Sequence, residues 1–160
     1  MVSFGGTTVD RYRVVNRLSL PAAAYIAGLV DGEGTITLTS THRGERRRIV
    51  VSIANTDRAL LTFVRDAVGA GHVTGKRTYN VRHQPSFCYS IRSRQALDLL
   101  AQIATFLRTY RRKRADMALA QYIASTPRNG KYSTMLDEQR IRFEREFLAI
   151  GPGPRGKMAK

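Results

Sequence analysis

The stretch Ile26-Ala27-Gly28-Leu29-Val30-Asp31-Gly32-Glu33-Gly34, running directly into Thr35-Ile36-Thr37-Leu38-Thr39-Ser40-Thr41, decides the fold of this chain. Ahead of it, Ser19 sits where a helix cap belongs and Pro21 fits a first turn. Alanines, Tyr25, Ile26, Leu29 and Val30 then follow at helical spacing. The glycines on either side of Glu33 end this helix, which is predicted over residues 21–31. From Thr35 the pattern changes to strict alternation: Thr35, Thr37, Thr39 and Thr41 share one face, Ile36 and Leu38 the other. A period of two is that of a half-buried strand.

Outward from this helix-to-strand junction the elements follow in order. A turn around Gly44 and a strand over 46–53 complete a hairpin. Asn55 or Thr56 is expected to cap a helix with Leu60, Leu61, Val64 and Val68 on its inner side, stopped by Gly69. A second hairpin covers 72–76 and 87–92, joined by a polar arm that carries Lys76, Arg77, Tyr79, Arg82 and His83. Ser93 opens a helix that turns Leu97, Leu100, Ile103 and Leu107 inward, and another runs from about Arg112 to Ala124. After a loop over 125–130, residues 133–150 form an amphipathic helix through Leu136, Phe143, Phe147 and Ile150. The predicted class is α+β, an αββαββα domain with additional C-terminal helices. Residues 1–150 are expected to form one domain and 151–160 a flexible basic tail.

Charge narrows the partners. The 160 residues include 27 Lys plus Arg against 12 Asp plus Glu, a formal charge of +15 and a pI near 11.0. With 42% hydrophobic residues the chain can bury a core, which a disordered basic tail cannot. A folded domain so charged self-repels unless a polyanion offsets it, so nucleic acid is the default partner. The apolar stretch Leu20 to Val30 is too short to span a membrane. The first residues carry Asp10 and no continuous apolar core, so neither a signal peptide nor a transit sequence is expected. The protein is placed in the cytoplasm or at the nucleoid, with an organelle left open. One cysteine, Cys88, and scattered His42, His72 and His83 exclude an internal disulfide and a cysteine-rich zinc site, so any metal is held by oxygen.

The threonine face of the first hairpin, with Arg43, Arg46, Arg47 and Arg48 near its tip, suits a two-stranded ribbon in the major groove. A plainly solvated strand is the competing reading of the same residues. Arg82 and Gln84 are candidates for reading guanine and adenine, and Lys76, Arg77, Tyr79 and Arg92 for further DNA contacts. Tyr89 and Tyr110 are assigned to packing first and DNA second, Phe87 and Ile91 to the core, and Cys88 to the alternate face of its strand. In the first helix, Ala24, Gly28 and Gly32 recur every four residues and leave a stripe where another helix can approach closely. Asp31 and Glu33 lie at the negative end of that helix dipole, where carboxylates are disfavoured and want a positive partner. Asp31 fits a structural residue bonded to nearby backbone. Glu33, between two glycines, is better placed to hold a divalent cation with the Gly32 carbonyl.

Residues 26–34 resemble the nine-residue LAGLIDADG motif of homing endonucleases, and the threonine strand follows where that family begins its own. Ile53-Ala54-Asn55-Thr56-Asp57, a helix ending Val68-Gly69-Ala70-Gly71 and the next strand match the usual continuation, over about residues 19–125. Only one motif copy is present. The resemblance therefore implies a homodimer packed through Ala24, Gly28, Leu29 and Gly32, with no organic cofactor and no membrane partner. It also implies a Glu33 from each subunit at the base of the helix pair, and a sheet saddle on a long, nearly palindromic double-stranded DNA. The same resemblance implies cleavage of both strands with short 3′ overhangs, by an intron-encoded enzyme. Magnesium (Mg2+) is the implied metal, with Mn2+ substituting and Ca2+ supporting binding without cleavage. A basic residue near the start of the fourth helix, Arg111 or Lys113, and Asn55 as an orderer of water complete the implied pocket. A splicing maturase that binds RNA without cutting DNA is the alternative within the family. A ribosomal-type RNA binder explains the charge but not the Gly28, Gly32 and Glu33 arrangement.

Overall fold

Ser19 Oγ accepts the backbone N–H of Ala22 at 3.3 Å and Pro21 occupies the first turn. Helix α1 accordingly spans Leu20–Glu33 in the computed structural model, which describes residues 14–76 and 84–153. The helix buries Ala23, Ile26, Ala27 and Val30 and passes without a loop into strand β1, Gly34–Thr39. Glycine is required at that junction: a Cβ on Gly34 would stand 2.6 Å from Val30 Cα and 3.0 Å from the Ser52 carbonyl oxygen. The helix thus begins one residue earlier and ends two residues later than predicted, and the strand ends before Thr41, which lies in the loop.

Strands β2 (Arg48–Asn55), β3 (His72–Lys76) and β4 (Ser86–Arg92) join β1 in one antiparallel sheet of order β1-β2-β4-β3. In register, Ile36 faces Val51, which faces Ile91, and Ile53 faces Tyr89, which faces Val73. These residues share the inner face with Leu38 and Ile49, and burial of each large aliphatic side chain contributes about 1.5–3 kcal/mol. Helices α2 (Arg58–Val68) and α3 (Ser93–Ile103) pack on that face beside α1. Tyr89 is fully buried, its hydroxyl donating to the Ala70 carbonyl at 2.9 Å, and burial pushes the phenol well above its ordinary range. Phe87 is half-buried against the core and Ile91 buried, as expected.

The cap of α2 is Asp57, which accepts from the N–H groups of Ala59 and Leu60, and not Asn55 or Thr56. Asn55 is the last residue of β2 and its amide is engaged elsewhere. Gly69 closes α2 at a φ of +74°, as predicted. After α3, a 3-10 turn over Ala104–Phe106 leads to α4 (Arg111–Gln121) and α5 (Thr134–Ala149), the latter capped by Ser133. These two helices cover the outer edge of β1. There Arg111 Nε donates to the Gly34 carbonyl at 2.8 Å and Arg114 Nη1 to the Ile36 carbonyl at 2.7 Å, satisfying backbone groups of an edge strand. Arg140, only 1% exposed on α5, donates to Thr126 Oγ1 at 2.6 Å, to Glu144 at 3.1 Å and to the Arg47 carbonyl. Arg77, Tyr79, Arg82 and His83 of the polar arm, and residues 154–160 of the tail, lie outside the described residues.

Candidate active site and nucleic-acid surface

Glu33, the last residue of α1, is exposed at the helix's negative end, where a carboxylate is disfavoured. Its Oε2 accepts a hydrogen bond from Asn55 Nδ2. The other end of that amide is fixed as well: Asn55 Oδ1 accepts the backbone N–H of Asp57 at 2.7 Å. The amide therefore holds the carboxylate in one orientation from a strand end that is itself locked. Asp31 plays a different part, accepting from Arg108 N at 2.6 Å and from Thr109 Oγ1 at 2.6 Å, so it ties the approach to α4 onto the end of α1.

Positive charge reaches this helix end through Arg111. Besides its bond to Gly34, its Nη1 donates to the Asp31 carbonyl at 3.1 Å, and its guanidinium lies 4.9 Å from the Tyr110 ring centroid. Lys113 is exposed and lines a separate groove with Arg108, Thr109, Tyr110 and the segment after α5. Tyr110 thus has a packing role beside two arginines, Arg111 and Arg114. Among the described residues no group of three or more His, Cys, Asp or Glu is gathered in one place. One chain brings the single Glu33 carboxylate to the end of α1. Such a sparse, hard-oxygen set suits Mg2+, which takes one or two carboxylates and completes its shell with phosphate oxygens and water.

The outward face of α1 is open. Ala24, Gly28 and Gly32 are exposed, and among the described residues no atom lies within 4 Å of a Cβ built on either glycine. Leu29, expected on the same face, instead packs half-buried against the core, because its position on the helix turns it away from the stripe. The large apolar side chains around the stripe are Leu20, 74% exposed, and Tyr25, 50% exposed. Tyr25 meets Phe63 of α2 edge-on at 5.9 Å. Neither Tyr25 nor Phe63 stands out from sequence as a site residue, although the helical wheel places Tyr25 opposite Ile26, Ala27 and Val30.

The uncovered face of the sheet follows from register. Thr35, Ser52, Ser90 and His72 form one row across all four strands, and Ala54, Cys88 and Thr74 a second. Thr37, Val50 and Arg92 form a third row, Thr39 pairs with Arg48, and Lys76 pairs with Ser86. Thr35, Thr37, Thr39, Arg48, Arg92 and Lys76 therefore share this face, the threonines where their alternation predicts. Thr41 and Arg43 are exposed in the β1–β2 loop, and Gln84 is exposed just before β4. Arg46, expected to face DNA, is instead ion-paired with Asp137 and lies 5.9 Å from the Tyr132 ring. Ser52, Ser90, His72 and Thr74 escape a reading of sequence alone; the pleat of β2, β3 and β4, once paired with β1, is the signal that finds them.

Residues 21–103 match the family model described as LAGLIDADG-like domain. Comparison with curated proteins gives no match. Among solved structures, the homing endonuclease I-CvuI in complex with its target in the presence of Ca has a TM-score of 0.68 at 16% identity, covering 88% of this chain and 87% of that one. The archaeal intron-encoded homing endonuclease I-Vdi141I complexed with DNA gives 0.54 at 16% identity, over 86% and 88%. The meganuclease I-SmaMI bound to uncleavable DNA gives 0.59 at 13% identity, over 86% of this chain but 47% of that one. At these identities the structures establish a shared fold, while the family match spans more than half of the chain and begins inside α1. The chain belongs to the LAGLIDADG family of homing endonucleases, as a member with one copy of the motif.

Proposed function

We propose that two copies of this chain pair through α1 and hydrolyse both strands of a long, nearly palindromic DNA site, leaving short 3′ overhangs. Glu33 carries this reading: it is exposed at the foot of α1, oriented by Asn55, and adjoins a helix stripe on which none of the described residues packs. An exposed acid facing phosphate opposes a mere binder of nucleic acid but serves an enzyme that recruits a cation. Pairing is supported by coverage, since the chain matches nearly all of I-CvuI and about half of I-SmaMI. Intron encoding and a working place in the cytoplasm, at the nucleoid or in an organelle belong to the same proposal. So does one functional domain over residues 1–150, with 151–160 as a basic tail. Among the described residues no helix is long and apolar enough to cross a membrane.

In the working dimer, Glu33 and the Gly32 carbonyl of each subunit hold Mg2+, with Mn2+ able to substitute and Ca2+ expected to support binding only. The bound cation supplies charge neutralisation at the phosphate and a water acidic enough to attack. Asn55 keeps the Glu33 carboxylate from rotating and leaves Oε1 for other partners. Arg111 at the α1–β1 junction, or Lys113, brings positive charge that stabilises the developing phosphorane and the leaving 3′ oxygen. The sheet rows bind the duplex, with threonine and serine hydroxyls at base edges and arginines at phosphate or guanine.

Cleavage of a randomised duplex library by the purified protein tests this directly. Discrete double-strand cuts with Mg2+, absent with Ca2+ or EDTA, are expected. Retention of duplex without cutting under every metal would overturn the enzyme and favour a non-cleaving binder.

A further inference from the structure

Beside the sheet lies an open groove of about 610 Å³, walled by the β1–β2 loop, the β4–α3 turn and the loop between α4 and α5. Five arginines line it, Arg46, Arg47, Arg48, Arg94 and Arg140, against two acids, Glu45 and Asp137. Two of the five serve the fold. Arg46 is neutralised by Asp137, and buried Arg140 is consumed by Thr126, Glu144 and the Arg47 carbonyl. The other three, Arg47, Arg48 and Arg94, are exposed and have no ion pair among the described residues.

This groove is braced. The Arg47 backbone is held from both sides, its N–H donating to Glu144 Oε1 at 3.1 Å and its carbonyl accepting from Arg140. Gathering three unpaired guanidinium groups on a fixed frame costs electrostatic free energy that an anion repays. Continuity identifies the kind of anion. Arg48 belongs both to the groove and to the uncovered sheet face, opposite Thr39, and Arg92 on that face directly precedes groove-lining Ser93. A small anion would leave this continuity unused, whereas a phosphate chain lying along the sheet would run off it over the groove.

We propose that the groove clamps the phosphate backbone of duplex DNA where it leaves the sheet, with Arg47 and Arg94 as phosphate contacts outside the base-reading rows. The proposal rests on the duplex-DNA reading above and adds a binding surface to it. The test is the salt dependence of binding by the full chain to a mixed-sequence duplex longer than the sheet. The double variant Arg47→Ala/Arg94→Ala should make the slope of log K against log salt shallower by about 3.6 for the dimer, at about 0.9 for each phosphate that is no longer neutralised by its two subunits. The matched variant Arg142→Ala/Arg145→Ala removes the same charge from the exposed side of α5 and should leave the slope unchanged. Equal slopes for wild type and both variants, or an equal decrease in both variants, would overturn the clamp and leave duplex binding intact. No salt-dependent duplex binding by wild type would overturn the clamp and the DNA reading together. A groove-variant defect seen only on a structured RNA hairpin would reassign the groove to RNA and overturn it for DNA.

Discussion

Arg111 Nε donates to the carbonyl of Gly34 at 2.8 Å, so the residue after Glu33 is bound to the first turn of α4. The same guanidinium reaches the Asp31 carbonyl, and Arg114 one turn on reaches the Ile36 carbonyl. Two arginines thus satisfy the outer edge of β1 where another strand would otherwise sit, and the helix that carries them sets the α1–β1 junction in place. Replacing Arg111 by Ala leaves two partly buried carbonyls without donors. A loss of about 1.5–3 kcal/mol is expected, the scale of hydrogen bonds to a charged group. Arg111→Lys should recover little of it, because an ammonium lacks the planar fork that spans two carbonyls. Urea denaturation of the three proteins measures both losses.

Glu33 and Asn55 should separate in kinetics. Glu33→Gln keeps the size of the side chain and the possibility of a bond to Asn55 but removes the anion, so cleavage should fall below detection while duplex binding is retained. Asn55→Ala leaves the carboxylate present but free to rotate, and a loss of about 10–100-fold is expected, as for other partners of metal ligands. Single-turnover cleavage of the selected site, beside a binding titration in Ca2+, reads both. Wild-type cleavage by Glu33→Gln would remove Glu33 from the site.

Legibility from sequence followed whether local chemistry decided the outcome. The α1 cap and the turn into β1 were readable because Ser19, Pro21 and Gly34 act within a few residues of themselves. The cap of α2 was misplaced because Asn55, Thr56 and Asp57 are all competent caps in a row. Which one serves depends on where β2 stops, and pairing of Asn55 with Phe87 sets that. Glu33 stood out through its glycines, but its bond to Asn55 is a contact across 22 positions. Arg111 and Lys113 look alike at a helix start; only the carbonyls of Asp31 and Gly34 distinguish them. Arg46 reads as a DNA-facing charge near the hairpin tip and Arg140 carries no reading of its own, since no spacing reveals that Asp137 or Thr126 will meet them.

Arg140 is therefore the position where composition misleads most and mutation should cost most. Its guanidinium is buried between the Tyr122 ring at 4.5 Å and the Phe143 ring at 5.3 Å, and joins α5 to the loop after α4 and to the β1–β2 loop. Arg140→Met fills much of the volume but strands Glu144, Thr126 and the Arg47 carbonyl. Removing one partner of a buried charge pair costs about 3–5 kcal/mol. A drop of that order in unfolding free energy is expected, and a near-neutral result would show that these groups find water instead.

Two glycines of the motif should respond in opposite ways, and the contrast tests the dimer. At Gly34 a methyl group meets Val30 Cα at 2.6 Å, backbone that cannot yield without moving α1 against β1, so Gly34→Ala should destabilise the subunit by about 1–3 kcal/mol, as overpacking does. At Gly28 nothing lies within 4 Å among the described residues of the single chain. A larger side chain there improves helix propensity, by up to about 1 kcal/mol for Ala, and meets no obstacle within its own subunit. Gly28→Leu should consequently keep native circular dichroism yet sediment as a monomer where wild type sediments as a dimer, because two α1 helices can no longer approach through the stripe. Cutting should vanish with the dimer, each Glu33 having lost its counterpart. Wild type that sediments as a monomer, or Gly28→Leu that remains a dimer, would place the partner surface elsewhere than on α1.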